Sequence, residues 1–141
     1  FNNTIFIITA DHTSPVQNNN NYKNIIGRYS IPLIIFKGDS SLIGKNNNIV
    51  QQIDIMPTVL DMINYNKTYF AFGKSIFSSN NWAINRLTST YRFITKRGII
   101  INKKDEYKMY QDWNLNNEIN TDSLEINLLN AIKQTYNQKF C

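Results

Sequence analysis

The run Ile5-Phe6-Ile7-Ile8-Thr9-Ala10 is β-branched and aromatic with almost no polar alternation, and it leads directly into Asp11-His12. Such a segment suits a strand buried on both faces of a parallel sheet, because a half-exposed strand alternates apolar with polar residues. It also places a carboxylate beside the chain's one histidine where a strand opens onto a loop. Neighbours on a continuing strand point to opposite faces, so the pair can share one cavity only if the backbone bends there. Carboxylate oxygen and neutral imidazole nitrogen are metal-ligand chemistry. Two donors do not complete a site, and the sequence has no second histidine, no HxxH and no CxxC. Asp11 and His12 can therefore ligate one divalent metal, or two neighbouring ones, whose other donors come from elsewhere.

The following segments extend an α/β pattern. Thr13 to Tyr29, with Ser14-Pro15 and the asparagine run Asn18-Asn19-Asn20-Asn21, reads as a long loop or short irregular helix. Ile31-Pro32-Leu33-Ile34-Ile35-Phe36 reads as a second strand, with Pro32 near its start where a missing amide is tolerable. From Asp54 the apolar spacing becomes helical, with Ile55, Met56, Val59, Leu60 and Ile63 on one face, and Thr58 and Asp61 turned to solvent or loops. Asp54 is placed as a cap and Pro57 in the first turn. Ala71 to Phe77 is expected to be a tight, glycine-bearing segment packed by aromatics. Thr90–Thr95, Gly98–Asn102 and Tyr107–Tyr110 read as antiparallel strands, the first two joined through Lys96-Arg97. A helix capped by Asp122 or Ser123 follows, with Leu124, Leu128, Ala131, Ile132, Thr135 and Tyr136 on its apolar face. The expected architecture is α/β, parallel strands followed by a small antiparallel sheet and a terminal helix, in one unit.

A length of 141 residues with 42% hydrophobic content is enough for a domain with a true core. The chain starts at Phe1 within a strand approach and stops at Cys141, which reads as an excised piece lacking an N-terminal portion. Its longest apolar runs fall far short of the ~20 residues that cross a bilayer. The single cysteine excludes an internal disulfide. The net charge of +5 is concentrated between Arg86 and Lys108, where seven basic residues face two acidic ones. That balance favours anionic partners without choosing among them. Tyr91, Phe93 and Tyr107 interleave with those charges, but at strand-like positions, so a core role is preferred and nucleic acid is not an expected partner.

Taken in order, Thr4 to His12, Ile31 to Phe36, Gln52-Ile53-Asp54-Ile55-Met56-Pro57-Thr58-Val59-Leu60-Asp61 and Phe72-Gly73-Lys74-Ser75-Ile76-Phe77 resemble the C-terminal part of a bacterial sulfatase-like protein of the lipoteichoic-acid-synthase type, within the alkaline phosphatase superfamily. The resemblance is close from Thr4 to about Phe77. Beyond Tyr91 it is looser, although Asp112 and the helix end Gln134-Thr135-Tyr136-Asn137 resemble that group's tail. It departs at Thr13, where many relatives carry glycine. The resemblance implies that residues 1–141 are the C-terminal part of a sulfatase-like catalytic domain with an alkaline-phosphatase-like fold, and that Asp11 and His12 are its metal ligands here. It implies a divalent cation (Mn, Mg, Zn or Ca) and an upstream threonine or modified cysteine or serine nucleophile. It also implies a phosphate- or sulfate-ester substrate such as cell-envelope phosphoglycerol, including lipid-linked forms, and a membrane-anchored parent whose catalytic domain faces outward. The isolated piece is expected to be inactive.

Arg28 is read as bracing a loop, and Trp82 and Trp113 as core residues in preference to glycan platforms. The rival function is a noncatalytic module that keeps the fold and binds an anionic polymer or lipid surface through its basic face.

Overall fold

The computed structural model describes residues 1, 3–16, 18–79 and 81–140, so the cysteine at 141 lies outside the described residues. The chain forms two compact units, Phe1–Asn47 and Asn48–Cys141.

In the first unit β1 (Ile5–Thr9) pairs with β2 (Leu33–Lys37), Ile5 opposite Lys37 and Thr9 opposite Leu33. The pairing is antiparallel, which corrects the expectation of parallel strands; every paired strand described, here and in the second unit, is antiparallel. A parallel partner requires a crossover, usually a helix, to carry the chain back to the same end. Among the described residues between the two strands there are two single 3-10 turns, Asn20–Tyr22 and Gly27–Tyr29, and no longer helix, so the chain returns beside β1 in the opposite sense. Phe6 and Phe36 stack across the pair with centroids 4.6 Å apart. Thr9 Oγ1 donates to the Pro32 carbonyl at 2.8 Å and closes the end that carries Asp11.

In the second unit a 3-10 turn, Gln52–Asp54, runs into α1 (Ile55–Met62). The strands β3 (Ala83–Leu87), β4 (Thr90–Thr95), β5 (Gly98–Lys103), β6 (Glu106–Tyr110) and β7 (Glu118–Ile119) then form a meander in sequence order. Two-residue turns at Thr88-Ser89, Lys96-Arg97 and Lys104-Asp105 join β3 to β6. Such short turns fix the register, and with it which side chains share a face. Ile84, Phe93, Ile100, Met109 and Ile119 consequently stand directly opposite one another in a single row across all five strands. That row, with Trp82, packs against α2 (Ser123–Phe140) through Ile126, Leu129 and Ile132. The next row, Arg86, Tyr91, Asn102 and Tyr107, is tied to the same helix: Lys133 Nζ donates to Asn102 Oδ1 at 2.9 Å and lies 5.0 Å from the Tyr91 ring.

The two helices match the expected faces in part: Ile55, Val59 and Leu60 of α1 are half-buried with Asp61 exposed, and Ile132 of α2 packs on the core, but other positions differ. Thr58 is fully buried, while Met56 and Ile63 are exposed. In α2 it is Leu129 that is fully buried, whereas Leu124 is two-thirds exposed. Asp122 does cap α2, accepting the Leu124 amide at 2.8 Å. Trp82 joins the core as expected, but Trp113 is half exposed. No helix of the described residues is long and apolar enough to cross a membrane.

Candidate metal centre

The strand β1 ends at Thr9 and the backbone bends at Asp11 and His12, which releases the two side chains from opposite faces. His12 Nδ1 lies 2.8 Å from the Thr13 carbonyl oxygen. A carbonyl can only accept, so Nδ1 carries the proton, and in the neutral ring the lone pair is on Nε2. Nε2 faces Asp11 Oδ2 at 3.5 Å. The other carboxylate oxygen, Oδ1, accepts the His12 amide at 2.8 Å and fixes the Asp11 rotamer. Both side chains are exposed, so both donor atoms are open to a cation.

This arrangement fits a divalent metal. Two donors at ordinary bond lengths on a tetrahedral ion stand roughly 3.4 Å apart, close to the observed separation. A metal-bound histidine almost always donates its other ring N–H to a carbonyl or carboxylate, and His12 does so to Thr13. Thr13 is itself anchored, its Oγ1 donating to the Arg28 carbonyl at 2.6 Å. The contribution of Arg28 is thus to brace the loop, with its guanidinium 5.8 Å from the Tyr29 ring centroid. Thr13 as the residue that orients His12 was not singled out from the sequence, because a carbonyl acceptor leaves no signature in residue type. Among the described residues no group of three or more His, Cys, Asp or Glu side chains converges, so a third donor to Asp11 and His12 is not found there.

Asp54 and Thr58 organise a separate region in the second unit. Asp54 Oδ2 accepts the Gln51 amide and Oδ1 accepts the Lys74 amide, both at 2.9 Å. Burial pushes the Asp54 carboxyl above its usual range, and the two amides partly offset that. Thr58 Oγ1 donates to the Asp54 carbonyl and accepts the Ile76 amide. Asp54 thus caps the 3-10 turn ahead of α1, in a reciprocal arrangement with Gln51, and does not cap α1 through its side chain. Together the two residues clamp the segment 73–76 onto α1.

Residues 1–65 match the family model described as Sulfatase, a span that includes β1, Asp11, His12, β2 and α1. Over that span the chain is similar to the sulfatase family. Comparison with curated proteins and with solved structures gave no match.

Proposed function

We propose that Asp11 and His12 are two ligands of a divalent cation in an enzyme that transfers or hydrolyses phosphate or sulfate esters, with cell-envelope phosphoglycerol and related lipid-linked esters as its substrate class. The observation that carries this reading is the split role of His12: Nδ1 donates to Thr13 while Nε2 faces Asp11 Oδ2 at 3.5 Å. The sulfatase match over residues 1–65 supports it. In this proposal the remaining donors and the nucleophile are supplied by chain outside these 141 residues, the complete enzyme is anchored in a bacterial membrane with this region facing outward, and the piece alone is silent.

Asp11 and His12 would hold such a cation, Mn, Mg, Zn or Ca, whose chemistry would be to lower the nucleophile's pKa and offset charge on the transferring phosphoryl or sulfuryl oxygens. Asp11 would offer Oδ2 to the cation, and His12 would offer Nε2, held in direction by the bond from Nδ1 to the Thr13 carbonyl. Neither residue attacks the substrate.

Replacing Asp11 or His12 by alanine in the full-length parent is expected to lower metal occupancy and ester turnover together with an unchanged circular dichroism spectrum. Unchanged metal content and turnover in both variants would overturn the proposal. A second reading, a noncatalytic module for an anionic polymer, is favoured by the +5 charge. Under that reading, replacing Lys103 and Lys104 weakens polymer binding, and no ester is turned over.

A further inference from the structure

The second unit contains a cleft of about 520 Å³ beside α1, lined by Asp61, Tyr65, Tyr69, Lys74, Ser75 and Ser78 among others. We propose that it binds a neutral sugar or polyol, a role independent of the Asp11–His12 pair. Its volume lies in the range of small-ligand sites, and its chemistry selects among ligands. Tyr65 and Tyr69 stand edge to face at 6.1 Å and are each a little under half exposed, presenting ring surface to C–H groups. Asp61 Oδ2 accepts the Ser75 hydroxyl at 2.6 Å, which leaves Oδ1 without a hydrogen bond among the described residues and able to accept from ligand hydroxyls.

Other ligand classes fit less well. An anion would face the Asp61 carboxylate. A cation would find one carboxylate, already engaged by Ser75, with Lys74 in the same lining. An apolar molecule would strand the carboxylate and hydroxyls without water. A hydroxyl-rich neutral ligand satisfies both the rings and the polar atoms.

The wall that carries Ser75 is held in place before any ligand arrives. Gly73 passes so close to α1's approach that a Cβ there would collide with the Ile53 carbonyl. Asp54 holds the Lys74 amide and Thr58 the Ile76 amide. Asn48 Nδ2 donates to the Ile76 carbonyl at 2.9 Å, and Asn81 Nδ2 to that of Ser75 at 3.3 Å. Preorganisation of this kind reduces the ordering cost of binding.

The test is amide NMR of the 141-residue chain titrated with glucose, N-acetylglucosamine and glycerol, with inorganic phosphate as a counter-probe. The expected result is a saturable shift of the amides of Asp61, Tyr65, Tyr69 and Ser75 with at least one of the three neutral probes. Asp61→Asn, which still accepts from Ser75, should weaken that binding about 10-fold through loss of a charged acceptor, as should Tyr69→Ala through loss of a ring face. Unchanged amide dispersion elsewhere would show that both variants fold. No shift with any neutral probe, a response to phosphate alone, or wild-type affinity in both variants would overturn the proposal.

Discussion

His12 uses its two ring nitrogens differently, and that difference is the chemical content of the candidate centre. The proton on Nδ1 is committed to the Thr13 carbonyl, and the Thr13 hydroxyl is committed to Arg28. Thr13→Ala keeps the carbonyl but frees it from the loop, so metal affinity in the complete enzyme should fall by about 10-fold, the low end for residues that orient a ligand. The loss from His12→Ala should be larger, and a metal titration of both variants ranks them. An affinity in Thr13→Ala equal to wild type would remove the orienting role. At this scale the adjacency of Asp11 and His12 after an apolar run is legible in sequence, and the proposal that they are metal donors rests on it. Thr13's part was not legible, since it acts through a backbone atom that every residue type possesses.

At the scale of elements, the hairpins were the most readable parts. Thr90–Thr95 was placed with its observed bounds because β-branched and aromatic residues are bracketed by short polar turns. Helix faces were harder to place. In α1 the buried positions are Pro57 and Thr58, and the Thr58 hydroxyl is satisfied by the Asp54 carbonyl and the Ile76 amide. A pattern built on apolar residues counts threonine as polar and so misses Thr58 while including the exposed Met56 and Ile63. In α2 the row Phe93, Ile100 and Met109 selects Leu129, and nothing local to the helix distinguishes Leu129 from Leu128. Leu129→Ala should therefore cost about 2–5 kcal/mol, while Leu128→Ala, partly exposed, should cost well under half of that in urea denaturation. Equal losses would mean the helix face is misassigned. Gly73→Ala should cost about 1–3 kcal/mol, because the obstructing atom is backbone and cannot rotate away.

For the whole molecule, the antiparallel return of β2 is the largest departure from the pattern read in residues 1–36. The unalternating apolar run reads as a strand covered on both faces, yet β1 is half-buried to exposed, with Ile8 54% exposed, and such a run carries no information on its partner's direction, which depends on the connection between them. Acid stability is also a property of this scale. Asp112 is held below its ordinary value of 3.8 by the amides of Asn117, Asn116 and Asn114, and Asp122 chiefly by the Leu124 amide, with Arg97 adding to it. Both contribute fully above that ordinary value and lose their contribution as pH falls through their lowered folded values. Asp54 runs the other way: its raised value means that folding loses stability as pH climbs from 3.8 through the folded value. Denaturation of the chain at a series of pH values should show stability falling below about pH 4, with a shallower acid slope in Asp112→Asn. A slope identical to wild type would assign the acid limb to other groups.

The most direct test of the central claim is the divalent-metal content of the purified full-length parent, measured by elemental analysis with and without His12→Ala. The Asp11–His12 centre requires bound metal at stoichiometric level in the wild type and its loss in the variant. Equal metal content in both proteins, or none in either, would contradict it.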